Sequence, residues 1–201
     1  MSNSVLASRF VTSSHPALTV ARTAAFLVAG SALITLAAKV SVPVWPVPVT
    51  LQTLAVAFLS AIAGRKLGVA IVLTYLAQGM AGLPVFASGG GMAYFAGPTA
   101  GFLIAYLPMA YIIGWAADRG AAGRPVLMLT TMLFADALLM AIGFVWLLSM
   151  AGAASWIDSS NPVQSAWQGA VEPFIVWDAL KMGLAAALAW VCSQASRRGR
   201  D

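Results

Sequence analysis

The chain has 201 residues, of which 61% are hydrophobic and only 8% are charged, and its formal net charge is +5. Soluble domains carry about 25% charged residues, so this composition excludes an ordinary water-exposed surface and indicates a protein whose solvent is lipid. At about 20 apolar residues per span, the length accommodates six helices and leaves no separate soluble domain. The cations stand singly or in pairs between apolar runs, which argues against a nucleic-acid partner.

The N-terminal quarter predicts a tail, a helix and an extended segment. Residues 1–16 are polar and predict a flexible tail, and the apolar run that follows predicts a helix over 17–38. This run exceeds the 7–15 apolar residues of a signal peptide, and further spans follow it. Three prolines in the next segment, 39–48, forbid regular helix and favour an extended path.

The apolar stretch over 49–83 is too long for one span and is interrupted by Arg65 and Lys66. Two cations at the centre of a bilayer would cost roughly 5–7 kcal/mol on the insertion scale. A tight hairpin of two shorter helices, 49–64 and 67–82, avoids this cost and is therefore predicted.

The rest of the chain alternates irregular and helical segments. The segment 82–99 is too rich in glycine and proline to be a helix interior, and the polar segment 151–172 carries an Asp-Ser-Ser-Asn-Pro run. The sequence predicts irregular segments at 82–99 and 151–172, helices over 100–117, 125–150 and 173–192, and a basic cytoplasmic tail over 193–201. We therefore expect an all-α membrane domain over 17–192 with six transmembrane helices.

The distribution of cations predicts the orientation of this domain. If the N-terminus is cytoplasmic, nine of the eleven Lys and Arg residues fall inside, leaving Lys39 outside and Lys181 within the last helix. The positive-inside rule is then met at every loop, with both termini cytoplasmic. The nine are Arg9, Arg22, Arg65, Lys66, Arg119, Arg124, Arg197, Arg198 and Arg200. All three irregular segments then lie outside, where we expect them to fold over a pocket.

Ionisable residues within apolar helices are candidates for function. Asp178 and Lys181, at i and i+3, share one face of the last helix, so they either form an ion pair or offer acceptor and donor to a polar ligand. Asp136, inside the fifth helix, is either a proton-relay acid or a structural acceptor. Glu172 suits the start of a helix, and Lys39 either steers an anion or extends towards water.

A glycine run and two tryptophans add candidates for a ligand site. Gly89, Gly90 and Gly91 allow the backbone to approach a ligand closely. The run is not a phosphate loop, because a Walker A motif needs Gly-Lys-Ser/Thr and no lysine here follows a glycine. Trp45 and Trp177 are candidates for stacking on a ligand, with an interfacial belt as the alternative.

Histidine and cysteine are too few for metal or nucleophilic chemistry. Cys192 and His15 are the single residues of their kinds, so no metal cluster, disulfide or serine–histidine triad is expected. The predicted protein has no metal and no cofactor. Cys192 is interpreted as a small packing residue in an apolar helix.

Small residues recur at every fourth position of the first predicted helix, at Ala17, Ala21, Ala25 and Ala29. This spacing leaves a smooth groove in which another helix can pack. The alternatives are internal packing and coincidence in a chain rich in alanine.

Three runs resemble the BioY family, the biotin-specific S components of energy-coupling factor (ECF) transporters. They are VPVWPVPVTLQTLAV, GLPVFASGGGMAYFAGPTAGFLIAY and WDALKMGLAAAL, and the resemblance extends over about 21–192. It implies an ECF S-component-like bundle of six helices that binds the vitamin near the outer face. The family's D-x-x-K pair matches Asp178 and Lys181. Its small-residue docking motif for the transmembrane T subunit matches Ala21, Ala25 and Ala29.

The resemblance implies a protein of the cell (inner) membrane that captures biotin and delivers it inward with T and ABC-type ATPase subunits, without being an enzyme. The expected substrate-binding residues are Asp178, Lys181, Ser88, Gly89, Gly90, Gly91, Trp45 and Trp177. Some relatives carry an arginine where this chain has Gly90, which leaves Lys181, Lys39 and groups around Ser88 and Thr99 as candidates for the biotin carboxylate. The alternatives are a facilitator working without partners, a small intramembrane acid–base enzyme and a structural helical subunit.

Overall fold

The structure is a computed structural model that describes residues 15–151, 158 and 160–198. The predicted N-terminal tail, apart from its last two positions, therefore lies outside the described residues. The helices are α1 (Pro16–Lys39), α2 (Gln52–Met80), α3 (Ala100–Asp118), α4 (Pro125–Ser149), α5 (Pro162–Ala170) and α6 (Ile175–Arg198); the strands are β1 (Ser41–Val42) and β2 (Val49–Thr50); and short 3₁₀ turns occupy Met92–Ala96 and Ala121–Gly123.

Five helical segments of the described chain are long and apolar enough to cross a membrane. They are α1 to α4 and the segment Pro162–Arg197, which contains both α5 and α6. This finding confirms the prediction of a helical membrane domain in its coarse form.

The long helix α2 reverses direction at Gly64. This residue has φ 75° and ψ 179°, a left-handed value of φ that glycine adopts without strain. Beyond it, Gly68 packs so closely on Ser60 that an added Cβ would lie 3.1 Å from the Cα of Ser60. In one straight helix these residues would be about 12 Å apart. The two arms, 52–63 and 65–80, are therefore the hairpin that the cost of burying Arg65 and Lys66 predicts.

The α2 hairpin forms the centre of the bundle. It packs against α1, α3 and α6, while α4 packs against α3, α5 and α6. Glycines allow the closest approaches, because Gly30 lies against Ile71 and Gly114 lies against the backbone of Arg65. At this turn, the Arg65 N–H donates to the Asp118 carboxylate at 3.3 Å, which places a negative charge at the N-terminus of the second arm.

Three predicted boundaries differ from the structure. The proline-rich segment folds back as β1 and β2, which pair antiparallel, so the next helix begins at Gln52 rather than at residue 49. The predicted loop over 151–172 contains α5, which starts on a proline and buries three small residues against the bundle. The last helix continues through Arg198, so the first six positions of the predicted tail are helical.

Candidate functional site

A cavity lies at the end of the bundle where the proline-rich and glycine-rich segments meet the N-terminal ends of α3 and α6. The cavity has a volume of about 470 Å³ when the space at its open mouth is included. Its enclosed part is narrow, because the centre of a water molecule fits into only about 30 Å³. It is lined by Val47, Pro48, Thr50, Gln52, Thr53, Phe86, Ala87, Tyr94, Thr99, Phe102, Leu103, Tyr106, Leu139, Phe174, Asp178 and Lys181. The cavity is thus apolar and aromatic with a few polar groups, as ligand sites are.

Asp178 and Lys181 supply the charges of this cavity. Both are buried, with 0% and 8% of their surfaces exposed, and the Lys181 ammonium donates to Oδ1 of Asp178. The predicted ion pair is therefore present. The same oxygen accepts from the Thr53 hydroxyl at 3.2 Å, whereas Oδ2 of Asp178 is buried without a partner in the described part of the chain. This second oxygen is a buried acceptor to which none of the described residues donates.

A chain of neutral polar side chains forms an adjoining wall that the sequence interpretation missed. The Thr50 hydroxyl donates to Oε1 of Gln52 at 2.9 Å, and Nε2 of Gln52 donates to the Tyr75 hydroxyl at 2.7 Å. The Tyr75 hydroxyl donates in turn to the carbonyl of Val85 at 3.2 Å. The one available signal was the pair of polar residues Gln52 and Thr53 in an otherwise apolar run.

The glycine-rich segment closes one side of the cavity through Phe86. This side chain is fully buried, and its ring centroid lies 5.4 Å from that of Tyr75 and 4.8 Å from that of Tyr94. The ring covers Gly79, where an added Cβ would collide with it. Phe86 and its partners were also missed, although they stand next to the predicted glycine run.

The predicted residues Ser88 and Gly89–Gly91 belong to this segment but do not line the cavity. Gly89 and Gly91 have φ 138° and 99°, and an added Cβ at Gly90 would collide with the carbonyl oxygen of Leu83. A side chain at position 90 therefore needs a different backbone path.

The structure divides the candidate partners of a ligand carboxylate into residues that line the cavity and residues that do not. Lys181 and Thr99 line the cavity. Ser88 is exposed, and its backbone N–H donates to the Tyr94 hydroxyl at 3.4 Å. Lys39 lies outside the lining, because its Nζ donates to the backbone carbonyl of Phe86 at 2.6 Å.

The two predicted tryptophans lie away from the cavity in this structure. Trp45 is 73% exposed and Trp177 is 60% exposed. Trp177 and Lys181 line a separate apolar cleft between α6 and the β1–β2 segment. Lys181 and Thr50 thus form the partition between this cleft and the cavity.

Asp136 does not line the cavity either. It is 8% exposed, its Oδ1 is buried without a partner among the described residues, and it lines a cleft between α4, α5 and α6. The candidate acid–base groups Asp136, Asp178 and Lys181 therefore do not line one common cavity.

The alanine stripe on α1 faces outward. Ala21, Ala25 and Ala29 are all exposed, and burial on this helix begins at Gly30. Internal packing within the described chain is thereby excluded as the reason for the stripe. Over the described residues no group of three or more His, Cys, Asp or Glu side chains is placed to hold a metal ion.

Comparison with known proteins agrees with the architecture. The model of the BioY family matches residues 7–198. The probable biotin transporter BioY of Pyrococcus horikoshii is 34% identical over 159 residues, covering 79% of this chain and 88% of that protein. The biotin transporter BioY of Thermotoga maritima is 45% identical over 91 residues, which cover 44% of this chain and 53% of that protein.

A solved structure shares the fold. It is the crystal structure, at 2.1 Å, of the S-component for biotin from an ECF-type ABC transporter, with a TM-score of 0.75 and 24% identity. The match covers 90% of this chain and 95% of that one. The family model spans nearly the whole sequence, and the Pyrococcus relative is similar over most of its length. This chain therefore belongs to the BioY family.

Proposed function

We propose that this multi-pass membrane protein is the biotin-binding S component of a vitamin uptake transporter. The observation that carries the proposal is the buried Asp178–Lys181 pair, which lines a mostly apolar cavity and has one carboxylate oxygen without a partner among the described residues. The ureido ring of biotin has two N–H donors and one carbonyl acceptor. The carboxylate accepts from such a donor, and the ammonium donates to the carbonyl or to the carboxylate of the ligand.

The apolar part of the ligand fits the rest of the wall. The thioether ring and aliphatic chain of biotin need a dry surface, which Phe86, Phe102 and Phe174 provide. The Phe102 and Phe174 rings stack at 5.7 Å beside the ion pair. Since water can occupy so little of the cavity, its side chains must move apart to admit a ligand of this size.

The orientation that we propose is six spans with both termini in the cytoplasm of the inner membrane. The reversal of α2 at Gly64 supports it, because the hairpin supplies the sixth crossing. The described cations near the chain reversals also support it. Arg65 and Arg119 lie at the end of the bundle opposite the cavity, and the Arg197 guanidinium lies beside Gly123 at the same end. The cavity then opens to the exterior.

We further propose that the exposed Ala21, Ala25 and Ala29 face receives the transmembrane T component, which links the chain to ABC-type ATPase subunits. A face of small residues lets a partner helix approach closely in lipid. ATP hydrolysis by a Walker A site has to come from such partners, because this sequence has no Gly-Lys-Ser/Thr motif. Transport without partners is the alternative outcome of the reconstitution experiment below.

Titrating the purified protein with radiolabelled biotin in equilibrium binding tests the substrate. We expect saturable binding with one site per chain, and no saturation with an amino acid of similar size. Liposomes containing the chain alone, and liposomes containing it with T and ATPase subunits, then test the mode of transport. A titration without saturation would contradict the assignment of the substrate, whereas uptake by the chain alone would contradict only the partner proposal.

A further inference from the structure

Lys39 connects the end of α1 to the segment that closes the cavity. It stands in the last turn of α1, outside the cavity lining, and its Nζ donates to the backbone carbonyl of Phe86 at 2.6 Å. The two residues are 47 positions apart in sequence. A charged donor makes a stronger hydrogen bond than a neutral one, so this contact holds the two segments together more strongly than a neutral hydrogen bond would.

The lysine starts from a firmly held backbone. Leu51 donates its N–H to the carbonyls of Ala37 and Val40, both at 3.2 Å, which joins the C-terminus of α1 to the start of α2. Slightly earlier in α1, the Ser31 hydroxyl donates to the Gln78 side chain. The backbone that carries the Lys39 side chain is therefore held in place by these hydrogen bonds and is not a freely moving helix end.

The carbonyl that Lys39 holds belongs to the residue whose ring forms the cavity wall. The backbone of Phe86 is otherwise tied only locally in the described chain, by its N–H to the Gly89 carbonyl at 2.9 Å and by the reciprocal bond at 3.4 Å. On one side of Phe86 the Tyr75 hydroxyl of α2 donates to the Val85 carbonyl at 3.2 Å, and on the other side the Gly91 N–H donates to the Gly79 carbonyl at 2.7 Å. Loss of the Lys39 contact therefore frees the Phe86 carbonyl within the short stretch between these two ties.

We propose that Lys39 is a positioning residue for substrate retention, which acts by holding the Phe86 carbonyl so that the Phe86 ring stays closed over the cavity. The inference rests on the proposed function. It assigns to Lys39 an effect on the release of biotin rather than on its capture. A lysine that only attracts the anionic ligand would act on the association rate, and salt would screen that effect.

The test compares the variants Lys39→Met and Lys39→Arg with a control, Lys66→Met. The control removes an exposed lysine near the α2 reversal, at the opposite end of the bundle. Radiolabelled biotin is bound to the purified proteins and its release is followed after dilution into unlabelled biotin. We expect Lys39→Met to raise the dissociation rate about ten- to a hundredfold, as loss of a charged hydrogen bond implies. Its association rate should stay within about twofold of the parent, Lys39→Arg should restore most of the slow release, and Lys66→Met should match the parent.

Hydrogen–deuterium exchange without biotin makes the test independent of the substrate. The peptide containing Phe86 to Gly91 should exchange faster in Lys39→Met than in the parent, and the rest of the bundle should be unchanged. Equal exchange in both proteins would overturn the contact itself, whatever biotin does. A Lys39→Met protein with parental release, or with a slower and salt-sensitive association, would overturn the role in retention while leaving the assignment of the substrate intact.

Discussion

Removing one member of the Asp178–Lys181 pair should be more damaging than removing both. Asp178 has 0% exposure, so a Lys181→Met substitution leaves its charge in the bundle with the neutral Thr53 hydroxyl as its one hydrogen-bond donor in the described part of the chain. Breaking a buried ion pair by removing one partner costs about 3–5 kcal/mol. We expect a loss of this size, divided between the stability of the fold and the affinity for biotin.

The opposite substitution, Asp178→Asn, should lower the free energy of unfolding less. Lys181 also lines the apolar cleft beside Trp177, and its long side chain can extend through that cleft towards water. Its effect on biotin binding should remain large. Even about 3 kcal/mol lost from the bound state alone weakens affinity more than a hundredfold, since each 1.4 kcal/mol is tenfold.

The double variant Asp178→Leu/Lys181→Met separates the two effects. Without either charge the bundle should unfold near the parental temperature, because apolar side chains of similar volume commonly replace a buried pair at no cost to stability. Biotin should nevertheless not bind. Thermal unfolding in detergent and equilibrium binding of radiolabelled biotin measure both quantities, with Thr53→Val as the control for one neutral hydrogen bond, at about 1 kcal/mol. Parental affinity in the double variant would refute our interpretation of the site.

Three further experiments test the docking face, the glycine-rich segment and the orientation. Ala25→Trp should abolish transport driven by partner subunits while biotin still binds, whereas Ala24→Trp, about 100° away around the same helix, should have little effect; equal co-purification of partners with both variants would contradict the docking face. Gly90→Ala should weaken biotin binding and loosen the glycine-rich segment in hydrogen exchange, because its Cβ collides with a backbone carbonyl; parental values of both would show that the segment adapts. In a chain whose single cysteine is replaced, Ser88→Cys should react with an impermeant thiol reagent from outside and Arg124→Cys only after permeabilisation, and the reverse pattern would overturn the orientation.

The features predicted correctly from the sequence depend on the high cost of charge in lipid. Arg65 and Lys66 could not lie at the centre of one span, and this argument alone predicted the reversal that the structure places at Gly64. Asp178 and Lys181 were predicted either to pair or to bind a polar ligand together, because their spacing on one helix is fixed by helical geometry, and the structure shows the pair. In both cases local sequence determines the outcome, so no knowledge of the tertiary fold was needed.

The features that the sequence did not predict depend on contacts between distant segments. Gln52 meets Tyr75 because the α2 hairpin brings together two residues that are 23 positions apart in sequence, although neither residue alone stands out. Phe86 becomes a cavity wall because Gly79 leaves space for its ring. A prediction that ranks polar or glycine-rich positions one at a time finds the segment that closes the cavity, but it cannot identify which side chain of that segment faces inward.

The structure also indicates which wall of the cavity moves when a ligand enters. The wall formed by α3 and α6 carries Tyr106, Phe102 and Asp178 on long helices, so it cannot shift without disturbing helix packing. The opposite wall belongs to the glycine-rich segment, whose described ties to the helices include the contact of Lys39 with Phe86 and the bond of Gly91 to the end of α2. Breaking a few such hydrogen bonds and replacing them with bonds to water costs less free energy than expanding a packed core. We therefore expect the segment that carries Phe86 to open and close over biotin, while α6 keeps the ion pair in place to receive it.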